Sequence, residues 1–190
     1  MNKIVCIVGM CGSGKTEVAK YLVDKGYSFV RFGQITLDIV IERGLAPTEE
    51  NERPIREQIR KEHGMGAYAT LNLPKFDSLL QQSNVVADGL YSWSEYKILR
   101  DHYGPRMIVL AIYAPPEMRY DRLVKRTVID AKMINRPMTK EQAQARDFAE
   151  IEKIEKGGPI AMADYTIVNI EGMDRYKADM DKFYNWLNER

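Results

Sequence analysis

The residues best suited to chemistry in this sequence form one glycine-rich stretch near the N-terminus. The stretch is Gly9-Met10-Cys11-Gly12-Ser13-Gly14-Lys15-Thr16. It follows directly on the apolar run 4–8, and a helical pattern of apolar residues begins behind it. A Gly-x-x-x-x-Gly-Lys-Thr spacing between a buried strand and a helix is typical of a phosphate-binding loop. Glycines let such a loop curl, so that unpaired N–H groups at the helix N-terminus can bind phosphate oxygens.

Two side chains of this loop have chemical roles of their own. Lys15 would reach the β- and γ-phosphates of ATP as a mobile positive charge, and the Thr16 hydroxyl would bind the Mg²⁺ that bridges them. The loop therefore predicts ATP and Mg²⁺ as cofactors, with residues 9–16 in contact with the nucleotide. The alternative is an ordinary turn that needs glycines for packing, but packing does not require a lysine followed by a hydroxyl.

A second metal-binding candidate follows a later apolar run. Residues 84–87 are mostly apolar and end in Asp88-Gly89. Ligands of α/β proteins gather at the carboxyl ends of parallel strands, so we predict that Asp88 holds Mg²⁺ together with Thr16. An exposed Asp-Gly turn is the alternative.

Basic residues in the second half of the chain are candidates for contact with the transferred phosphate. The pattern predicts a helix over 117–126, which places Arg122 and Arg126 on one face. There the two positive charges would repel each other unless an anion lies between them. Residues 127–138 are irregular and typical of a flexible flap.

A further helix is predicted to begin after this flap. Thr139 and Gln142 have the spacing of a capping box. The helix is predicted to run past Arg146 towards Lys156 and to end at the Gly-Gly-Pro of 157–159.

The elements that must position these residues alternate along the chain. Apolar runs typical of strands occupy 4–8, 28–32, 84–89, 107–113 and 165–168. Helical patterns separate them, which predicts an α/β fold with a five-stranded parallel sheet covered on both faces. Between the second and third strands the pattern is helical for about fifty residues, with breaks at Gly44, Gly64 and Pro74. All candidate phosphate-binding groups then fall at one edge of the sheet.

Composition excludes several classes of protein. The chain has 190 residues and a net charge of +1, which favours one domain and argues against binding to nucleic acid or to a membrane surface. No apolar run is long enough for a membrane span, so a cytoplasmic location is expected. The two cysteines, Cys6 and Cys11, predict neither a disulfide framework nor a metal site. Cys11 is either a redox brake on nucleotide binding or a small side chain in a variable loop position.

The sequence resembles small P-loop kinases of the adenylate kinase and dephospho-CoA kinase type, in particular dephospho-CoA-kinase-like proteins familiar mainly from archaea. The resemblance covers almost the whole chain. It is carried by residues 9–15, 43–51, 86–89, 114–119, 122–126, 146–147 and 163–169.

This resemblance implies a P-loop NTPase three-layer sandwich, built as a single kinase domain over 1–190. It further implies a helical substrate-binding insert at 34–82 and a lid at 127–145, whose arginines close over the phosphoryl group. The loop at Asn169 would contact adenine.

The chain departs from the nucleotide kinases at two positions. Leu37 and Tyr91 stand where those kinases have arginines that hold the phosphate of a monophosphate acceptor. Each lost arginine removes charge-assisted hydrogen bonds worth roughly 1.5–3 kcal/mol apiece. Arg31, Arg53 and Arg56 are the candidate substitutes, and without one a nucleoside monophosphate is a poor acceptor.

The predicted reaction is phosphoryl transfer from ATP to a small-molecule acceptor, namely a nucleotide, a nucleoside or a dephospho-CoA-like molecule. Catalysis would be positioning and charge neutralisation by Lys15 and by the arginines of the lid region. These arginines are Arg122, Arg126, Arg146 and Arg136. For a hydroxyl acceptor, Asp38 is the candidate that removes the proton, with Asp88 as the alternative. Monomer and homodimer stay open, as does a nucleotide-binding switch protein that has lost phosphotransfer.

Overall fold

The structure is a computed structural model that describes residues 1–126 and 138–190. These residues form five parallel β-strands and nine α-helices. The strands are β1 (Ile4–Val8), β2 (Ser28–Arg31), β3 (Val85–Asp88), β4 (Met107–Tyr113) and β5 (Tyr165–Val168). The helices are α1 (Lys15–Asp24), α2 (Gln34–Glu42), α3 (Glu49–His63), α4 (Ala67–Leu80), α5 (Trp93–Tyr103), α6 (Pro116–Val124), α7 (Lys140–Glu152), α8 (Gly157–Ala161) and α9 (Met173–Asn188).

The strands lie in the order β2-β3-β1-β4-β5, so β1 is central. Every residue of β1 is fully buried, because its alternate side chains enter cores on opposite faces of the sheet. Val5 and Ile7 face a core built with α1 and α9, whereas Ile4, Cys6 and Val8 face a core built with α2 to α5. Burying one such aliphatic side chain contributes about 1.5–3 kcal/mol, which makes β1 the anchor of both layers.

This arrangement confirms the predicted three-layer α/β fold. The helices α2, α3 and α4 occupy the predicted insert between β2 and β3. The predicted capping box at Thr139 is also confirmed, because the Thr139 hydroxyl accepts from the Gln142 backbone and the Gln142 side chain accepts from the Thr139 backbone. Of the predicted lid at 127–145, residues 127–137 lie outside the described residues, and with them Arg136.

One predicted helix break and two predicted helix ends were wrong. Helix α4 continues through Pro74, because burial of Phe76 and Leu80 beyond it offsets the lost backbone hydrogen bond. Helix α6 ends at Val124, so Arg126 lies beyond it and does not share a helical face with Arg122. Helix α7 ends at Glu152, and the left-handed backbone of Glu155 (φ 58°) redirects the chain, so the Gly-Gly-Pro of 157–159 begins α8.

Helix length and polarity bear on membrane insertion. None of the helices in the described part of the chain is long and apolar enough to cross a membrane.

Candidate functional site

The glycine-rich loop joins the carboxyl end of β1 to the first turn of α1 and packs tightly against distant elements. Gly12 and Gly14 have φ angles of 82° and 109°, which L side chains rarely adopt. A Cβ at Gly12 would lie 2.7 Å from the backbone oxygen of Arg119. A Cβ at Gly14 would lie 3.1 Å from the hydroxyl of Tyr176. Glycine is therefore needed at both positions for backbone conformation and for close packing.

Hydrogen bonds from the second half of the chain hold the carbonyl groups of this loop. Arg119 donates to the Cys11 carbonyl at 3.1 Å, Asn169 to the Ser13 carbonyl at 2.8 Å, and Tyr176 to the Gly14 carbonyl at 3.0 Å. In a trans peptide, the N–H group of the next residue points away from the carbonyl. The N–H groups of residues 12, 14 and 15 are thereby turned away from these donors, as an anion-binding loop requires.

Arg119 is itself fixed by a buried ion pair. Its guanidinium makes a two-pronged contact with the Asp147 carboxylate, at 3.0 Å and 2.6 Å, and both side chains are about 95% buried. Tyr120 donates a further hydrogen bond to Asp147 at 3.0 Å. The pair joins α6 and α7 to the loop. Sequence reasoning missed this role, although both residues lie in segments that carry the family resemblance.

The ammonium group of Lys15 lies over the loop, donating to the carbonyls of Gly9 at 2.8 Å and Met10 at 3.1 Å. Burial, together with the nearby positive charge of Lys156, lowers the pKa of Lys15 to about 8. A lysine in this position gains from an anion that offsets both charges.

Lys156 is a second buried cation of the site, and the sequence did not single it out. It is 1% exposed, pairs with Glu150 at 2.6 Å, and lies 4.5 Å from the ring centroid of Tyr91. Burial alone would raise the pKa of Glu150, but Lys156 and Arg146 lower it to about 2. Glu150 is therefore ionised at neutral pH and balances part of the positive charge.

Asp88 ends β3 beside the loop, as predicted. It pairs in register with Ile7 of β1 and with Arg31 of β2. The Asp88 Oδ1 and Arg31 Nη1 atoms are buried, and neither has a hydrogen-bond partner among the residues that the structure describes. Buried polar atoms are normally paired, so both atoms are free to bind an ion or ligand.

Three of the predicted arginines, Arg122, Arg126 and Arg146, belong to the described residues, and each has a different local partner. Arg122 of α6 donates to the backbone oxygen of Asn169 at 2.9 Å, and its other terminal nitrogen is buried with no partner in the described part of the chain. Arg146 of α7 donates to Glu150 at 3.0 Å and is 40% exposed. Arg126 follows α6, and its backbone N–H donates to the Leu123 carbonyl.

Asp38, the predicted proton acceptor, lies on helix α2, whereas Asp88 ends a strand. The Asp38 side chain is exposed and accepts a hydrogen bond from Gln34 at 2.8 Å. Its role in catalysis stays a prediction. Leu37, on the other hand, is buried in the core, and Tyr91 lies beneath Lys156.

The residues present fit ATP and Mg²⁺. Mg²⁺ is usually held by one or two protein ligands together with phosphates and water, and Thr16 with Asp88 supplies such a set. Over residues 1–126 and 138–190 there is no cluster of three or more His, Cys, Asp or Glu residues that could form a metal cage of protein ligands alone. The partnerless Asp88 oxygen supports the same assignment.

Comparison with known proteins agrees with this geometry. The family model described as "AAA domain" matches residues 5–149. A UPF0200 protein of Thermococcus kodakarensis is 35% identical over 94% of this chain and 95% of its own length. The chain belongs to the UPF0200 family.

Solved structures show which fold this UPF0200 protein has. A shikimate kinase from Bacteroides thetaiotaomicron superimposes with a TM-score of 0.61 at 12% identity, over 98% of both chains. A gluconokinase from Sinorhizobium meliloti superimposes with a TM-score of 0.56 at 15% identity, over 98% of this chain and 95% of its own. At these identities the likeness shows a P-loop kinase fold for the UPF0200 protein.

Proposed function

We propose that this UPF0200 protein is an ATP-dependent kinase that transfers the γ-phosphoryl group to a small-molecule acceptor. The observation that carries the proposal is the phosphate loop beside Asp88. Distant donors hold the loop carbonyls, and the Asp88 carboxylate has a buried oxygen without a partner in the described chain. This combination supports binding of a triphosphate with its metal ion.

The residues of the site would divide the work of catalysis. Mg²⁺-ATP supplies the activated phosphoryl group. The loop N–H groups and Lys15 bind the phosphates, and Thr16 and Asp88 hold the ion. Arg122, Arg126 and Arg146 would neutralise the charge that develops on the phosphoryl group. Lys156 would add a positive charge close to Lys15.

The acceptor is assigned to the side of the insert, helices α2 to α4. For a hydroxyl acceptor, Asp38 or Asp88 takes the proton. The names of the solved neighbours, shikimate kinase and gluconokinase, favour a small hydroxylated acceptor. The family resemblance adds dephospho-CoA as a candidate. Leu37 and Tyr91 stand where adenylate kinases have arginines, which disfavours a nucleoside monophosphate held as in those enzymes.

A nucleotide-dependent switch protein is the second candidate function. The observation that favours it is the replacement of acceptor-binding arginines by Leu37 and Tyr91. The arginines of the lid region argue against it, because a switch protein has little use for them.

The test begins with nucleotide binding. Mg²⁺ with a non-hydrolysable ATP analogue at a hundred times its Kd should stabilise the wild-type protein by about 2.7 kcal/mol. Lys15→Ala should abolish this gain. The control is Lys20→Ala, whose side chain is 67% exposed on the same helix, and which should bind as wild type. If the analogue stabilised Lys15→Ala as much as it stabilises wild type, the proposal would be contradicted.

Transfer is then measured with labelled ATP and a panel of dephospho-CoA, nucleosides, nucleoside monophosphates and hydroxy acids. Arg126→Ala should retain ATP binding and lose transfer. Nucleotide binding without transfer to any acceptor would favour the switch protein instead.

A further inference from the structure

Glu95 is a buried carboxylate that the proposed mechanism does not use. It belongs to the capping box of α5, where its Oε2 atom accepts hydrogen bonds from the backbone of Tyr91 at 2.8 Å and Ser92 at 3.0 Å. The residue is fully buried. Its second oxygen, Oε1, has no hydrogen-bond partner among the described residues. The helix cap therefore explains one oxygen of Glu95 and leaves the other unexplained.

Arg60 of α3 is the matching donor. Its Nε atom is also buried without a hydrogen-bond partner in residues 1–126 and 138–190. The guanidinium lies 5.3 Å from the ring centroid of Tyr68, whose hydroxyl is 2.5 Å from the Thr36 hydroxyl. These contacts fix the position of Arg60 and leave its Nε available.

A hydrogen bond joins the chain just after α3 to the start of α5, and these two helices carry Arg60 and Glu95. The Ser92 hydroxyl, at the start of α5, donates to the Met65 carbonyl at 2.9 Å, just beyond the end of α3. Helices α2 to α5 thus converge on the space around Arg60 and Glu95, on the insert side of the sheet. Burial raises the pKa of Glu95 to about 7, and the nearby charges of Arg60 and Lys156 act in the opposite direction.

Neither Arg60 Nε nor Glu95 Oε1 has a polar partner in the described part of the chain. A buried donor or acceptor without a hydrogen bond costs about 1–3 kcal/mol, so two such atoms on neighbouring elements are a reason to expect a polar ligand. Arg31, which pairs in register with Asp88 at the end of β2, also has a buried nitrogen without a hydrogen-bond partner among the described residues.

We propose that Glu95 and Arg60 bind the phosphoryl acceptor, and that this acceptor is an anion carrying at least one hydroxyl group. The hydroxyl donates to Glu95 Oε1, and the anionic group accepts from Arg60 Nε. This assignment rests on the proposed kinase function, because it places the acceptor in the insert. The anionic group is a carboxylate or a phosphate, and the two are separated by experiment.

The test measures ligand binding by calorimetry on the full chain saturated with Mg²⁺ and a non-hydrolysable ATP analogue. The probes are gluconate for a carboxylate, and glucose 6-phosphate and AMP for a phosphate. Sorbitol and hexanoate each lack one of the two groups. We expect at least one hydroxylated anion to bind, and sorbitol and hexanoate to bind at least tenfold more weakly.

Variants then assign the binding to Glu95 and Arg60. Glu95→Gln keeps an oxygen for the helix cap and replaces the acceptor Oε1 by a donor. It should therefore weaken binding of the probe at least tenfold. Arg60→Gln should do the same from another helix. Glu62→Gln and Lys61→Gln, at exposed positions of α3, are the matched controls and should bind as wild type. All four variants should keep the wild-type affinity for the nucleotide analogue.

The outcomes that would overturn the inference are distinct from failure of the kinase function. The inferred acceptor site is wrong if none of the three hydroxylated anions binds or if hexanoate binds as tightly as gluconate. It is also wrong if Glu95→Gln and Arg60→Gln bind the probe with wild-type affinity. If Glu95→Gln does not fold, as judged by its unfolding midpoint, Arg60→Gln decides. Binding of the probe without phosphoryl transfer would contradict the kinase function and leave the acceptor site standing.

Discussion

Asn169 donates its side-chain amide to the Ser13 carbonyl at 2.8 Å, across 156 positions of sequence. The bond joins the segment after β5 to the phosphate loop. Asn169 is 8% exposed, and its own backbone oxygen accepts from Arg122. The family resemblance implies that the loop at Asn169 contacts adenine, which stays a prediction, and in the structure the Asn169 amide holds the phosphate loop.

Asn169→Ala is expected to weaken both the fold and nucleotide binding. Loss of the donor leaves the Ser13 carbonyl without its buried partner, which should lower the free energy of unfolding by about 1–3 kcal/mol. A comparable loss in the free energy of ATP-analogue binding corresponds to an increase of about five- to 150-fold in Kd. Urea unfolding and calorimetric titration measure the two effects. Asn185→Ala, on the exposed face of α9, is the control, and equal affinities for the two variants would contradict this role.

The ion pair between Arg119 and Asp147 should be the most sensitive charged contact of the site. Arg119→Met leaves the Asp147 carboxylate buried and unpaired, which should cost about 3–5 kcal/mol of stability. Lys140→Met breaks the exposed pairs of Lys140 with Asp121 and Glu117 and should cost much less stability, because solvent screens them. Chemical denaturation of both variants makes the comparison. Similar losses of stability in the two variants would show that burial does not make the ion pair of Arg119 more important than an exposed one.

Stability should depend on pH through Glu95. Its pKa is about 7 in the folded protein, against 4.5 for the free side chain, so between these values the folded state binds more protons than the unfolded state. The free energy of unfolding therefore falls as pH rises from 4.5 to 7, by about 3 kcal/mol.

Glu95→Gln removes this ionisation. The free energy of unfolding of the variant should therefore rise relative to that of wild type as pH increases from 4.5 to 7. Unfolding curves at pH 5, 6, 7 and 8 test this. Glu62→Gln, at an exposed position of α3, is the control, and its stability should depend on pH as that of wild type does. A Glu95→Gln curve parallel to wild type would instead place the ionisation of Glu95 outside this window.

The parts of the site that sequence patterns predict are those made of adjacent residues. The apolar run of β1, the loop and α1 are contiguous, so strand, turn and helix follow from composition and spacing alone. The capping box at Thr139 is similarly local. Asp88 is predictable because the end of a buried strand fixes its place at the sheet edge.

The rest of the site depends on burial and on long-range pairing. The chain has 28 lysines and arginines, and nothing in its local sequence marks Lys156 as the one buried against Glu150. Arg119 looks like one more charge on a solvated helix until Asp147 is packed against it. Glu95 carries a recognisable cap signal, but the signal accounts for only one of its oxygens. Sequence spacing also placed Arg126 in a helix that ends two residues earlier.

Asn169 and Tyr176 lie beyond residue 149, where the match to the AAA domain ends. The hydrogen bonds from these residues to the loop therefore form only after β5 and α9 have been synthesised and have docked. A nascent chain carries the whole glycine motif within its first sixteen residues, long before these hydrogen bonds can form. The glycine motif alone therefore does not supply the loop geometry, which depends on contacts made by segments that follow residue 149.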